Sequence, residues 1–137
     1  MTKKASINHF KTIVRTEVNL LLSQHKFYHG WSLIVIQKKK NYFMAVRSLL
    51  FFHIIYIDQV CIKMPVEAIR ALLVHELLHL LHPYCLNERK IDLKVVELGY
   101  GPELLEFHKW NNVTYKKYKK KDGLTEKEIK DMILKRN

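Results

Sequence analysis

The sequence has few of the residues that are typical of secreted, loop-rich or membrane-spanning proteins. Its 137 residues include only four glycines, three prolines and two cysteines, which argues against a disordered chain or a disulfide framework. Cys61 and Cys85 have no C-x-x-C spacing, so we expect two free thiols. No apolar run reaches the ~18 residues of a membrane span, and polar residues interrupt the first segment too early for a signal peptide. We therefore expect a soluble, cytoplasmic protein that does not insert into membranes.

Positive charge is what the sequence has in excess. The net charge is +11, and such a charge can attract nucleic acid or an anionic surface. The lysines concentrate in 38–40 and 116–121 and do not follow one face of an element; lysine runs of this kind are usually solvated surface. Charge alone is therefore only weak evidence that nucleic acid is a partner. It leaves open a basic nucleic-acid-binding scaffold whose metal site is not catalytic.

Hydrophobic periodicity predicts an α+β fold in a single domain over 1–137. An amphipathic helix over Ser6–Gln24 precedes a three-stranded sheet. The predicted strands are Trp31–Gln37, Tyr42–Leu50 and Ile54–Val60. The polar stretch 38–41 is predicted to be a hairpin loop between the first two strands.

Helices are predicted for the rest of the chain. Pro65 opens an apolar helix that runs to about His82, where Pro83 ends it. The later helices are Asn87–Leu98, closed by Gly99, then Pro102–Trp110, and a last helix after the capping box Thr125–Glu128. Residues 116–137 are predicted to be a basic C-terminal extension, with 116–123 as a linker.

The apolar helix carries the pattern H-E-x-x-H at His75, Glu76 and His79. Histidines four residues apart lie on one face of a helix, one turn from each other, and can bind one zinc ion. Zinc lowers the pKa of a bound water toward ~7, and Glu76 is placed to take the proton of that water. Polar residues inside an otherwise apolar helix need such a reason.

A catalytic zinc ion needs a third protein ligand and one open position. His82 lies seven residues after His75, or about 10 Å along a helix axis, which is too far for the same ion. Glu88 is the better candidate, because it lies on the next helix after a short connection. Asp92 shares its face and can accept the outer N–H of a zinc-bound histidine. Cys85 is close to these residues in sequence, but it is a weaker candidate, as a fourth ligand.

These residues resemble the gluzincin clan of zinc peptidases, which pairs H-E-x-x-H with a glutamate on a later helix. The stretch Asn87–Asp92 matches the N-E-x-x-x-D pattern of that clan. The resemblance is closest to the minigluzincins, minimal soluble relatives of membrane peptidases such as HtpX and the CAAX prenyl protease, and covers roughly residues 5 to 105.

The resemblance implies a minimal zincin-like domain that hydrolyses internal peptide bonds of a peptide or protein. Carried over, His75, His79 and Glu88 bind zinc, Glu76 is the general base and then acid, and Asp92 orients His75 or His79. Minimal relatives can block their own clefts, so the isolated protein can be self-inhibited. The sequence does not determine the oligomeric state, and a homo-oligomer is one possibility. The oxyanion-stabilising residue also stays open, and its candidates are Tyr84, Tyr100, His108 and Tyr115.

Two other peptidase classes share part of this pattern. An ImmA/IrrE-like regulatory protease also carries H-E-x-x-H and a later glutamate helix, but Asp92 together with Glu97-Leu98-Gly99 fits the minigluzincin pattern better. A SprT-like protease would suit the basic charge. It would need a third histidine ligand downstream, and His82 and His108 are poorly placed for that role.

Overall fold

The computed structural model describes residues 2–25, 31–38, 42–49, 52–115 and 123–136. The chain folds into two compact units, Met1–Met64 and Pro65–Asn137. The first unit holds a helix and a mixed three-stranded sheet, and the second is built of helices. The predicted α+β class is therefore confirmed.

Helix α1 spans Lys3–Gln24, three residues earlier than the sequence pattern indicates. Thr2 accounts for the earlier start, because its hydroxyl accepts a hydrogen bond from the Ala5 N–H at 3.1 Å and so caps the first turn. One stripe of the helix is buried and provides the core of this unit. Its apolar members are Phe10, Val14, Val18 and Leu21.

The strands are β1 (Trp31–Gln37), β2 (Met44–Leu49) and β3 (Phe52–Asp58), in the sheet order β1-β3-β2. Strand β3 pairs parallel with β1 and antiparallel with β2. The predicted β1–β2 hairpin is therefore wrong: β3 lies between these two strands, and its Ile55 and Ile57 are fully buried. Residues 39–41 of the predicted hairpin loop lie outside the described residues.

The third strand ends at Asp58, two residues before the predicted end. The Asp58 carboxylate accepts a hydrogen bond from the Val60 N–H at 2.9 Å, and this cap starts a 3₁₀ turn over Gln59–Lys63. Cys61 in that turn is a free, buried thiol whose pKa is raised by burial. Cys85 is also free, as predicted.

The helices of the second unit are α2 (Val66–Leu81), α3 (Glu88–Val95), α4 (Gly101–Trp110) and α5 (Glu126–Arg136). Short π-helical turns, Val96–Tyr100 and Asn111–Tyr115, follow α3 and α4. Helix α2 packs against α3 and α4, and α4 packs against α5. None of the helices within the described ranges combines the length and apolar character that a membrane crossing requires.

The break after α3 depends on Gly99. Its φ of 100° is a left-handed conformation that side chains rarely adopt. Helix α3 itself ends at Val95, three residues before the predicted end at Leu98, and Gly99 lies in the π-helical turn that follows. Gly101 then begins α4, and a Cβ atom there would lie 3.0 Å from Ile133 Cγ1 of α5. The two glycines therefore turn the chain and let α5 approach α4 closely.

Residues 123–136, here called the C-terminal segment, pack against the other helices of the second unit. The predicted capping box is confirmed: the Thr125 hydroxyl accepts from the Glu128 N–H, and the Glu128 carboxylate accepts from the Thr125 N–H, both at 3.2 Å. Leu124 and Ile129 flank this box at the positions of a hydrophobic staple, and both are buried. Residues 116–122 of the predicted linker lie outside the described residues.

Candidate metal centre

Helix α2 places two histidines beside each other at its C-terminal end. Pro65 precedes the first turn, and His82 closes the last one by donating its N–H to the Leu78 carbonyl at 2.9 Å. The helix carries buried apolar side chains on most of its circumference, so it lies in the core. The His75 side chain is 4% exposed and that of His79 is 26% exposed. One histidine is thus embedded in protein, while the other borders on solvent.

Helix α3 brings a carboxylate to these histidines. Asn87 caps it by accepting a hydrogen bond from the Lys90 N–H at 3.2 Å, which makes Glu88 its first residue. Ile91 and Val95 are fully buried and anchor the helix. The cap sets where the helix begins, and the anchors set how it is rotated, so together they direct Glu88 toward α2.

The nitrogen and oxygen atoms of His75, His79 and Glu88 converge on one point. His75 Nε2 lies 2.7 Å from Glu88 Oε2 and 3.1 Å from His79 Nε2. His79 Nε2 lies 3.2 Å from Glu88 Oε1. These three residues could hold a metal ion, and they are the one such group among the described residues. We call them the ligand cluster.

The spacing of the ligand cluster suits a small tetrahedral ion. Ligand bonds of about 2.1 Å at tetrahedral angles put donor atoms about 3.4 Å apart. Each observed separation is somewhat shorter, so small side-chain movements would make room for the ion. Two imidazole nitrogens and one carboxylate also leave a fourth tetrahedral position for water or substrate.

Asp92 fixes the orientation of His75. Its carboxylate is fully buried, and Asp92 Oδ1 lies 2.8 Å from His75 Nδ1. Asp92 Oδ2 accepts a hydrogen bond from the Leu124 N–H at 3.0 Å. The sequence left open which histidine Asp92 contacts, and the structure places it against His75.

This contact also determines which nitrogen of His75 faces the ligand cluster. A buried carboxylate accepts, so Nδ1 of His75 is the donor, and in the neutral ring Nε2 then carries a lone pair. That lone pair points at the Glu88 carboxylate 2.7 Å away. A lone pair and an anion at this distance repel unless a cation lies between them, either a proton or a metal ion. The arrangement therefore suits a cation-binding site.

Glu76 lies on the same helix as the two histidines of the ligand cluster. It follows His75 directly, about 100° further around the helix at 3.6 residues per turn, and its side chain is half-buried. Glu76 is not one of the residues of the cluster.

The other residues considered from the sequence do not join the cluster. His82 caps α2, and the Cys85 thiol lies 3.8 Å from the Asn87 carbonyl. Of the oxyanion candidates, Tyr84 is 96% exposed and His108 is buried in α4. Tyr100 is half-buried in the π-helical turn, and the side chain of Tyr115 lies outside the described residues.

Sequence reasoning missed one part of this centre, the Leu124 amide behind Asp92. It contributes through its backbone, which carries no side-chain signature. The capping box did predict a helix in this part of the chain. It did not indicate that the helix would pack against the second unit or meet Asp92.

Comparison with known protein families, with curated proteins and with solved structures finds no match for this chain.

Replacing Asp92 with asparagine should weaken metal binding by about 10–100-fold, the usual cost of losing an outer-shell partner. The amide has one acceptor oxygen, so its NH₂ group must face either His75 Nδ1 or the Leu124 N–H. Competition with a chelator of known zinc affinity measures the effect. Asp131→Asn, the same change on an exposed residue of α5, is the control. Equal affinities for the two variants would contradict a supporting role for Asp92.

Proposed function

We propose that the chain is a zinc-dependent endopeptidase with His75, His79 and Glu88 as metal ligands and Glu76 as general base. One observation carries the proposal: three convergent donors lie on two helices, and a buried carboxylate supports the most buried of them. Carboxylate–histidine–metal arrangements of this kind are typical of zinc sites.

The donor set favours zinc over the common hard cations. Calcium and magnesium prefer oxygen ligands, six or more in number, whereas the cluster offers two nitrogens and a carboxylate. Structural zinc sites are usually closed by four protein ligands, often cysteines. Cys61 and Cys85 are not members of the cluster. Three protein ligands and an open position fit a catalytic site.

A bound zinc ion supplies Lewis acidity, which lowers the pKa of a coordinated water to ~7 and polarises the carbonyl of the bond to be cleaved. The chain's own residues do the rest. Glu76 accepts the proton of the attacking water and delivers it to the leaving amine nitrogen, acting first as base and then as acid. Asp92 holds His75 with Nε2 free of a proton, so that this nitrogen can be a ligand.

The choice of peptide bonds as substrate rests on the two motifs. H-E-x-x-H and N-E-x-x-x-D resemble those of the gluzincin clan, and in this chain they bring His75, His79 and Glu88 to one point. An ImmA/IrrE-like protease would use the same chemistry on a repressor, so the two readings differ in substrate and not in mechanism.

Removal of the metal ion should abolish peptide hydrolysis, and added zinc should restore it. The purified chain is incubated with a library of fluorescence-quenched peptides before and after treatment with 1,10-phenanthroline. The isomer 1,7-phenanthroline has the same ring system but cannot chelate, and it serves as the control. Metal content is measured on the same samples, with about one zinc ion per chain expected.

Two results would overturn the proposal. Zinc-free protein that stays zinc-free after incubation with the ion would remove the metal centre. Fully loaded protein that cleaves no peptide or unfolded protein, even after limited proteolysis to relieve self-inhibition, would instead favour a non-catalytic metal site.

A further inference from the structure

The C-terminal segment contacts Asp92, the residue that supports His75. The Leu124 N–H donates to Asp92 Oδ2 at 3.0 Å, and Asp92 Oδ1 lies 2.8 Å from His75 Nδ1. The donor and the carboxylate are both buried: Leu124 is 1% exposed and Asp92 is not exposed at all. An unbroken path of hydrogen bonds thus joins the backbone of residue 124 to a ligand of the cluster.

A second contact joins the same segment to the helix that carries Glu88. Arg89 follows Glu88 directly and forms a bidentate ion pair with Glu128. Arg89 Nη1 lies 2.9 Å from Glu128 Oε1, and Arg89 Nη2 contacts Glu128 Oε2. Hydrogen bonding to Arg89, with help from the Thr125 N–H, lowers the pKa of Glu128 to about 2. The pair is therefore ionised at neutral pH, and it holds the first turn of α5 beside the first turn of α3.

The two contacts act on different residues of the metal centre. Loss of the Leu124 N–H would remove one hydrogen bond from the buried Asp92 carboxylate, which would then be less firmly placed beside His75. The Arg89–Glu128 pair is partly exposed and therefore weak, but it links α3 to α5 directly after Glu88. Apolar burial of Leu124 and Ile129 adds to both contacts. Docking of the segment and the geometry of the ligands are thus parts of one arrangement.

We propose that residues 123–136 are an integral part of the metal centre and that docking of this segment is energetically coupled to metal binding. The Leu124 amide is a positioning group that acts on His75 through Asp92. The proposal rests on the metal ligands of the proposed function but not on its catalytic step. Because coupling between two equilibria is reciprocal, zinc must stabilise the docked segment by the same factor by which docking strengthens zinc binding.

The first test removes the amide donor. Leu124→Pro eliminates the N–H and the leucine side chain, whereas Leu124→Ala eliminates only the side chain. We expect the proline variant to bind zinc at least tenfold more weakly than the alanine variant, measured by competition with a chelator. Circular dichroism spectra identify whether both variants are folded. Equal zinc affinities in two folded variants would overturn the proposal.

The second test uses the full chain without any substitution, so it holds even if the proline variant fails to fold. Hydrogen–deuterium exchange is followed by mass spectrometry with and without saturating zinc. Exchange over 123–136 should slow when zinc is bound, because zinc must stabilise the docked segment if docking strengthens zinc binding. A separate measurement on Asp92→Asn at saturating zinc should find this protection lost and that of α2 retained.

The outcomes separate this inference from the proposed function. Zinc protection that covers α2 and α3 but leaves 123–136 unchanged would overturn the coupling and leave the metal centre intact. A wild-type chain that binds no zinc would overturn both proposals. Coupling without peptide hydrolysis would support this inference and contradict only the catalytic step.

Discussion

Replacing Glu76 with glutamine should lower kcat for peptide hydrolysis by about 10²–10⁴-fold, the usual contribution of a general base, while the protein keeps its zinc. Glutamine has nearly the same shape but cannot take a proton from water at neutral pH. Glu76 is not a member of the ligand cluster, so metal content should stay at about one ion per chain. Initial rates and metal analysis on the same preparation measure both quantities.

The control for this variant is Glu67→Gln, which makes the same change at an exposed position in the first turn of α2. It should leave both rate and metal content unchanged. If Glu76→Gln loses its zinc, Glu76 supports the metal site and its role as base is wrong. If it keeps both zinc and full activity, another group takes the proton.

The same variant distinguishes the enzyme from a basic scaffold. A scaffold that binds nucleic acid through its net charge of +11 would not depend on Glu76. Its binding would instead weaken steeply with salt, because neutralising phosphates releases counterions.

The ligand cluster could be predicted from the sequence because its geometry is mostly local. Helical periodicity alone places His75 and His79 on one face of α2, and it places Asp92 one turn beyond Glu88 on α3. The step from α2 to α3 was harder. It depended on Pro83 ending α2 and on a second helix beginning near Asn87 after a short connection, and the proline is an explicit signal in the sequence.

The order of the strands could not be predicted in the same way. A polar stretch between two apolar strands favours a hairpin, but β3 is the strand whose Ile55 and Ile57 are fully buried, and it occupies the centre of the sheet. Which strand is central depends on burial across the whole unit. No turn motif encodes that information, so local reasoning placed β1 beside the wrong neighbour.

The contact between Leu124 and Asp92 was unpredictable for a different reason. A backbone N–H is present at every residue except proline, so no pattern of side chains marks the one that meets a buried carboxylate. The sequence did carry the reciprocal requirement, since a buried aspartate needs donors. It did not specify that one donor comes from 32 residues further along the chain.

Replacing Glu88 with glutamine should weaken zinc binding more than Asp92→Asn does. The loss of affinity should therefore exceed the factor of about 10–100 that is typical of outer-shell partners. The change removes the anion that offsets the charge of the ion and leaves only two protein ligands of full strength. Chelator competition on wild type, Asp92→Asn and Glu88→Gln should therefore give three affinities in descending order. Peptide hydrolysis at a fixed, limiting zinc concentration should fall in the same order.

Glu67→Gln is the matched control, because Glu67 and Glu88 are the acidic residues in the first turns of α2 and α3. Both substitutions remove a favourable interaction with a helix N-terminus, worth about 0.3–1 kcal/mol, and only Glu88→Gln removes a ligand. A loss of zinc affinity confined to Glu88→Gln assigns the effect to coordination. Equal affinities in the two variants would mean that Glu88 meets His75 and His79 as a hydrogen-bond partner only, and the three-ligand centre would have to be abandoned.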